Sequence, residues 1–140
     1  MNAGAVLAFD FGVKRIGVAI GETLLGQARP LTTLAMEDND SRFGAIEKLI
    51  GEWQPTRLVV GMPYATDGTA HEMTARCERF ARQLEGRFRL PVVCVDERYS
   101  SVDAEARLAE RGQGWQKRKE TLDAEAAAVI LQSYFDSNPS

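Results

Sequence analysis

The sequence predicts an α/β fold in which helices flank a mixed five-stranded sheet. Three observations lead to this prediction. The chain opens with short apolar runs separated by turns, which is typical of paired strands. Further on, segments with apolar residues at helical spacing alternate with short apolar runs, which is typical of crossover units and a partly parallel sheet. The predicted order of elements is β-β-β-α-β-α-β-α.

The first three strands are expected to pair as neighbours. The apolar run AVLAFDF at 5–11 predicts a buried strand, and a turn follows at 12–14 because its glycine tolerates positive φ. The segment RIGVAIG at 15–21 alternates and is predicted to return as the hairpin partner. A third strand is expected at about 27–35, where Pro30 favours an edge position because proline cannot donate a ladder hydrogen bond.

The later elements are expected to alternate between helix and strand. A helix with apolar residues at helical spacing should end at Pro55, and the buried strand RLVVG follows at 57–61. The next helix is expected to start at a T-x-x-E capping box at 69–72 and to end at a C-cap at Gly86. The run PVVCV at 91–95 predicts the last strand.

The C-terminal part is predicted to contain two helices joined by a basic loop. A helix at about 102–110 leads to the loop RGQGWQKRK at 111–119. The last helix is expected at about 122–135, with Thr121 as its N-cap. The inner face of that helix is expected to consist of Ala127, Leu131, Tyr134 and Phe135.

The length and composition indicate one globular domain. A chain of 140 residues with 44% apolar and 26% charged residues suits a single domain over 1–140. Cys77 and Cys94 lack metal-ligand spacing and are expected to be reduced, buried thiols. The N-terminus lacks the pattern of a signal peptide, and no apolar run approaches the roughly 18 residues of a membrane span. We therefore expect a cytoplasmic protein with no membrane partner.

The charge distribution restricts how the protein can bind nucleic acid. The formal net charge is −3 and the pI is about 5.2, so binding through bulk positive charge is not expected. Positive charge is instead concentrated in the segment 111–119, which contains no acidic residue. Its cations are candidates for contacting nucleic acid: Arg111, Lys117, Arg118 and Lys119.

Three carboxylates are candidates for catalysis and metal binding. Asp10 stands inside an apolar strand, where a carboxylate is costly unless it is paired or binds metal, although it could equally cap the turn that follows. Glu97 follows the last strand, and either faces the cleft or simply ends the strand together with Asp96. Asp123 lies in the expected first turn of the last helix, where the helix dipole alone favours an acid.

The predicted fold would bring these carboxylates together, because ligands of open α/β sheets bind at the carboxyl ends of the strands. Clustered carboxylates repel one another unless a cation neutralises them. Oxygen ligands without a nearby Cys or His suit Mg²⁺ or Mn²⁺. Two such ions would activate a water and stabilise the leaving oxygen of a phosphodiester, which is the chemistry of a metal-dependent endonuclease.

Three further cations lie next to the carboxylates along the chain. Lys14 and Arg15 follow the turn after the first strand and could reach a scissile phosphate, since arginine forks match phosphate oxygens. They could also belong to a solvated hairpin turn. Arg98 directly follows the candidate glutamate, and could bind the nucleic acid backbone or pair with a structural acid.

Four motifs resemble those of one known family: AFDFGVKRIGVAIG, VVGMPYATDGT, VDERYSS and LDAEAAAVILQSYF. In this order and spacing, over almost the whole chain, they resemble the YqgF (RuvX) family. Its members are described as pre-16S rRNA nucleases or Holliday junction resolvase homologues with a ribonuclease H-like fold. The resemblance implies that Asp10, Glu97 and Asp123 bind the metal. It also implies that the substrate is the precursor of 16S rRNA, matured in the cytoplasm during ribosome assembly.

Other functions stay open at this point. A Holliday junction resolvase-like enzyme would cut branched DNA and would usually need a two-fold dimer, because the junction is symmetric. We expect a monomer or a weak homodimer, and a monomer favours RNA processing. A non-catalytic factor that binds RNA or ribosomal particles would agree with the acidic pI. The motif AFDFGVKRIGVAI also resembles the first phosphate motif of actin-like ATPases, but those enzymes clamp nucleotide between two such domains.

Overall fold

The computed structural model describes residues 4–12, 14–35, 38–62, 72–96 and 115–137. Within these ranges the elements follow the predicted order. They are β1 (Ala5–Phe11), β2 (Ile16–Glu22), β3 (Gln27–Leu34), α1 (Asn39–Trp53), β4 (Arg57–Met62), α2 (Glu72–Phe88), β5 (Val92–Asp96) and α3 (Trp115–Ser137). The helix predicted near 102–110 falls outside the described residues, as does the capping threonine predicted at position 69.

The strands form a mixed five-stranded sheet with the order β3-β2-β1-β4-β5. The first three strands pair antiparallel, whereas β1 pairs parallel with β4, and β4 pairs parallel with β5. The carboxyl ends of β1, β4 and β5 therefore lie at one edge of the sheet. β3 is an edge strand that contains Pro30, as predicted, and the register of its pairing with β2 shifts opposite this region, between Val18 and Ala19.

Helices cover both faces of the sheet, because neighbouring strand residues point to opposite sides. Leu7 and Phe9 of β1 belong to a core that includes apolar residues of α1 and α2. Val6 and Ala8 belong to a second core that α3 covers with Ala127, Ala128, Ile130, Leu131, Tyr134 and Phe135. The sheet thus has an α1/α2 face and an α3 face, and the predicted inner residues of the last helix are confirmed.

The ends of the helices differ in part from the sequence predictions. α1 begins after Asp38, whose carboxylate accepts a hydrogen bond from the backbone N–H of Ser41 at 2.9 Å. The predicted C-cap at Gly86 is wrong, since this glycine lies inside α2. The helix continues to Phe88 and is followed by Arg89 with a positive φ of 56°. An exposed glycine costs a helix only about 1 kcal/mol, so it need not end one.

The start of α3 is the largest correction. The helix begins at Trp115, well before the predicted start near 122, so Thr121 is not its N-cap and Asp123 is not in its first turn. Lys117, Arg118 and Lys119 therefore lie in helical backbone and not in a loop, although their side chains are outside the described part. The physical reason is that the stretch 115–137 contains no glycine or proline to interrupt it.

The two cysteines have different environments. Cys77 is buried in the core on the α1/α2 face, as predicted, but the prediction that Cys94 is buried is wrong because this residue is exposed. Cys94 lies in β5, the edge strand opposite β3, where only one neighbouring strand covers it. Among the described helices, none is long and apolar enough to cross a membrane.

Candidate active site

Asp10 lies near the carboxyl end of β1, on the α3 face of the sheet. Its even position places it on the same side as Val6 and Ala8, which pack against α3. It is opposite Gly17 in the β1–β2 ladder, and directly opposed residues of an antiparallel pair project to the same face. Asp10 is only partly buried, so its carboxylate is at the border between the core and solvent.

Asp123 lies in α3, where the helix backbone packs against β2. A Cβ built on Gly17 would lie 1.8 Å from the backbone oxygen of Asp123 and 2.9 Å from the nitrogen of Ala124. The backbone of α3 therefore rests directly on β2 at this glycine. Because Gly17 is also the ladder partner of Asp10, the two predicted carboxylates share one immediate neighbour. The structure therefore places the backbone of Asp123 against the ladder partner of Asp10.

Sequence reasoning missed Gly17, although a signal for it was present. A glycine inside a strand weakens it and often marks a close approach of another backbone. In the motif RIGVAIG the pattern was interpreted only as a hairpin strand. The glycine is in fact the position that lets α3 come close enough to set Asp123 beside β1.

Glu97 and Arg98 lie outside the described residues. The described range 72–96 ends at Asp96, which ends β5 and is aligned with Met62 of β4. Since β1, β4 and β5 are parallel, Asp96 at the end of β5 lies at the same sheet edge at which β1 ends. The roles of Glu97 and Arg98 stay predictions.

Arg15 forms an ion pair with Asp123. Its Nε lies 2.7 Å from Oδ2 of Asp123, and the two side chains are 31% and 26% exposed. The predicted phosphate-binding arginine is therefore engaged by a predicted metal-binding carboxylate. Lys14, immediately before it, is exposed. The two residues were predicted either to bind phosphate or to lie in a solvated turn. Lys14 is solvated, whereas Arg15 is engaged by Asp123.

Arg42 supports the turn that follows β1, and sequence reasoning missed this residue as well. Its side chain is buried at 4% exposure, and its Nη2 donates a hydrogen bond to the backbone carbonyl of Gly12 at 2.9 Å. The guanidinium also lies 5.4 Å from the ring centroid of Phe11. An arginine in an amphipathic helix is normally expected on the exposed face. The sequence pattern of α1 therefore does not predict that Arg42 contacts Gly12.

An open groove adjoins the ion pair. It has a volume of about 570 Å³ and lies between the edge strand β3 and the helix α3. Its lining includes the side chain of Arg15 and, on α3, Ala124, the residue after Asp123. The rest of the lining comes from β3 and the residue after it: Pro30, Leu31, Thr32, Thr33 and Ala35.

The described residues supply part of a metal site. Carboxylate oxygens are the donors that Mg²⁺ and Mn²⁺ prefer, and Asp10 and Asp123 lie on one face around a shared neighbour. The guanidinium already placed against Asp123 indicates that this carboxylate attracts a cation. Within the described ranges, no three acidic, histidine or cysteine side chains group closely enough to hold a metal ion, so a third donor would have to come from elsewhere. The donor type therefore fits the predicted ions.

The sheet order, the helix-covered faces and the carboxylates at the end of β1 and on α3 define an α/β protein of the ribonuclease H-like class. The solved structures agree with this class. RuvC of T. thermophilus in complex with a Holliday junction substrate aligns with a TM-score of 0.55 at 18% identity, covering 96% of this chain and 94% of that one. At this identity the likeness shows the fold alone.

The family model for RuvX, described as "Holliday junction resolvase", matches residues 4–137, and the chain belongs to this family. A relative from Dechloromonas aromatica is 58% identical over 134 residues, 96% of this chain and 92% of its own length. Another from Methylobacillus flagellatus is 59% identical over 135 residues, 96% of this chain and 92% of its own. Both bear the name "Putative pre-16S rRNA nuclease". The predicted family and fold are confirmed, and the predicted enzyme class, a nuclease, is that of the family.

Proposed function

We propose that this protein is a metal-dependent endonuclease that hydrolyses phosphodiester bonds of precursor 16S rRNA in 5′-end maturation, in the cytoplasm. We also propose that residues 1–140 form one nuclease domain. The observation that carries the proposal is the meeting of Asp10 and Asp123 around Gly17, on a ribonuclease H-like sheet. The names of the relatives support the choice of rRNA as substrate.

Asp10 and Asp123 would hold Mg²⁺ or Mn²⁺, with Glu97 as the third carboxylate and with room for two ions. When bound, such ions activate a water and stabilise the leaving oxygen of a phosphodiester. The protein's own contribution is the position of the donors. β1 fixes Asp10 by its ladder with β2, and the contact of α3 with Gly17 fixes Asp123. Arg42 stabilises the turn after β1 by its hydrogen bond to Gly12.

Nucleic acid binding is proposed to depend on local positive charge, because the chain as a whole carries a net charge of −3. Arg15 lies against the carboxylate of Asp123, Lys14 is the exposed residue before it, and both are assigned to the substrate phosphate. Arg98, which follows Glu97 in the chain, is assigned to the nucleic acid backbone. The cations at the start of α3 would hold a more distant part of the strand: Lys117, Arg118 and Lys119.

A second candidate function is cleavage of branched DNA. It is favoured by the description of the matched family and by the fold shared with RuvC. A symmetric junction is cut by two active sites related by a two-fold axis, so this function would require a dimer. A monomer in solution favours the RNA substrate.

The test is cleavage of a labelled 16S rRNA precursor and of a four-way DNA junction, each with Mg²⁺ or Mn²⁺. The variants are Asp10→Asn and Asp123→Asn, and the matched control is Asp136→Asn, which removes an exposed acid from the other end of α3. We expect metal-dependent cutting of the RNA that falls to background in the first two variants and persists in the control. Unchanged cutting in Asp10→Asn would reject the carboxylate mechanism.

The same preparations distinguish a non-catalytic RNA- or ribosome-binding factor. Such a factor would bind RNA without cutting it, and Asp10→Asn would bind as the unaltered protein does. Neutralising Lys117 and Arg118 would then abolish binding. If neither substrate is cut and RNA binding is retained, the endonuclease proposal fails in favour of this alternative.

A further inference from the structure

The ion pair between Arg15 and Asp123 joins two groups to which the proposed function gives different partners. Asp123 is assigned to a metal ion, and Arg15 to a phosphate of the substrate. In the structure they bind each other, with Nε of Arg15 at 2.7 Å from Oδ2 of Asp123. At this distance the two opposite charges are in direct contact, and the guanidinium neutralises the carboxylate.

The pair is placed so that it can open. Both side chains are partly exposed, at 31% and 26%, so water and dissolved ions reach part of each one, although Oδ2 of Asp123 itself is buried. Ion pairs in such positions contribute little to stability, because solvent replaces most of what is lost when they break. Breaking this pair therefore needs no unfolding of the surrounding core.

The groove beside the pair gives the released arginine somewhere to go. Arg15 already lines this groove of about 570 Å³, together with Thr32 and Thr33 of β3 and with Ala124 of α3, the residue after Asp123. A guanidinium that leaves Asp123 can therefore turn into open space without entering packed protein. An arginine fork in such a groove is suited to a phosphate group.

We propose that Arg15 is a positioning residue that exchanges partners. It holds and neutralises Asp123 in the metal-free protein, and it turns to a phosphate of the nucleic acid strand in the groove when Asp123 binds a divalent cation. This inference rests on the proposed function, since it takes Asp123 as a metal ligand. The exchange makes metal binding and nucleic acid binding mutually reinforcing. Phosphate draws Arg15 away from Asp123 and so favours the metal, and the metal occupies Asp123 and so frees Arg15 for the phosphate.

The first test is the affinity for Mn²⁺, measured by titration calorimetry without nucleic acid. Arg15→Gln removes the competitor, so we expect it to bind Mn²⁺ about two- to fivefold tighter than the unaltered protein, the factor that corresponds to breaking a partly exposed ion pair. Lys48→Gln is the charge-matched control, since Lys48 is exposed on α1, which covers the opposite sheet face. Equal affinities in Arg15→Gln and Lys48→Gln would overturn the exchange.

The second test uses the unaltered chain and does not depend on the folding of a variant. The Nε–Hε signal of Arg15 in the ¹⁵N–¹H spectrum should shift when Mg²⁺ is added, because the guanidinium leaves the charge of the Asp123 carboxylate. Asp123→Asn should shift it without Mg²⁺. If calorimetry detects the ion and the signal does not shift, the exchange is wrong and the metal site stands. If no ion binds, the proposed metal site and the exchange both fail.

Discussion

The backbone oxygen of Asp123 lies so close to Gly17 that a Cβ on the glycine would be only 1.8 Å from it. The contact joins the helix α3 to the strand β2 without an intervening side chain. Since Gly17 is paired with Asp10 in the sheet, the position of Asp123 relative to Asp10 depends on the absence of one methyl group. The active-site geometry is therefore coupled to the packing of the core.

Gly17→Ala should destabilise the protein and weaken metal binding together. All the nearby atoms are backbone atoms of α3, at 1.8, 2.2 and 2.9 Å from the added carbon, so the helix must move as a whole. Overpacking of this kind costs about 1–3 kcal/mol, occasionally more. Urea unfolding gives the change in the free energy of unfolding, and Mn²⁺ titration gives the change in affinity.

Gly44→Ala is the matched control for this substitution. Gly44 lies in α1, has no heavy atom within 4 Å of its added Cβ, and should be neutral or stabilised by about 0.5–1 kcal/mol through helix propensity. Metal affinity should not change in this variant. If Gly17→Ala is as stable as Gly44→Ala, the close contact of α3 with β2 does not exist in solution.

The parts of the site that the sequence predicted are those whose local pattern is decisive. Asp10 was found because a carboxylate in an apolar strand violates the expected burial, and the strand bounds followed from alternation and turn residues. The mixed character of the sheet followed from the hairpin strands at the start and the later alternation of strands with helices. These signals depend on neighbours within one element, which a sequence displays directly.

What escaped prediction depends on contacts between elements that are distant along the chain. Arg42 binds Gly12 across 30 positions, and no periodicity marks such a contact. The start of α3 differs from the prediction because Thr121 has the local pattern of an N-cap, whereas the helix begins at Trp115. The pairing of Arg15 with Asp123 likewise joins the first hairpin to the last helix.

Arg42→Met should lower both stability and activity. Methionine retains much of the aliphatic stem but cannot donate to the carbonyl of Gly12, which Arg42 contacts at 2.9 Å. Because the carbonyl of Gly12 is only partly buried, the lost hydrogen bond should cost about 0.5–1.5 kcal/mol. The turn after Asp10 should become more mobile, so nuclease activity should fall further than the folded fraction does. Thermal unfolding and cleavage assays on the same preparation measure both effects.

Arg29→Met provides the comparison for that variant. Arg29 also stacks on an aromatic ring, at 5.5 Å from the centroid of Trp53, but it is exposed on the edge strand β3. Its replacement should change stability by no more than about 0.5 kcal/mol. If both variants lose the same free energy of unfolding, the hydrogen bond from Arg42 to Gly12 makes no contribution of its own to stability.

Gln132→Glu should loosen the start of β3 in a pH-dependent way. The amide of Gln132 ties α3 to this strand, since its Oε1 accepts from the N–H of Ala28 at 3.0 Å and its Nε2 donates to the carbonyl of Gly26 at 2.9 Å. A carboxylate would face that carbonyl without a donor and would repel Asp136, which the amide contacts at 3.1 Å. We expect a loss of about 1–3 kcal/mol at neutral pH, reduced in acid.

Hydrogen exchange of the Ala28 amide is the local measurement for this variant. It should accelerate in Gln132→Glu, because repulsion from the carbonyl of Gly26 and from Asp136 should displace the carboxylate from the N–H of Ala28. Ser133→Ala is the control, as Ser133 is the adjacent, exposed residue of the same helix. Unchanged exchange at Ala28 in Gln132→Glu would show that the carboxylate is not displaced and that the contacts of Nε2 do not hold the strand.

Asp38 should contribute stability that is lost in acid. Hydrogen bonds from Ser41, from its side chain first and then from its backbone, lower the pKa of Asp38 below the ordinary value of 3.8. A carboxyl whose pKa is depressed in the folded state stabilises the fold above its unfolded pKa, and this contribution disappears as the pH falls through the folded value. The contribution of the N-cap of α1 should therefore be complete at neutral pH and decrease below about pH 4.

Asp38→Ala measures this contribution, and Asp38→Asn separates charge from capping. Asparagine is a good N-cap that does not titrate. The difference in melting temperature between Asp38→Asn and Asp38→Ala should therefore be nearly independent of pH. The difference between the unaltered protein and Asp38→Ala should shrink as the pH is lowered from about 7 to about 2.5. A difference that stays constant over this range would mean that the carboxylate of Asp38 makes no charge-dependent bond to Ser41, and that α1 is capped by backbone geometry alone.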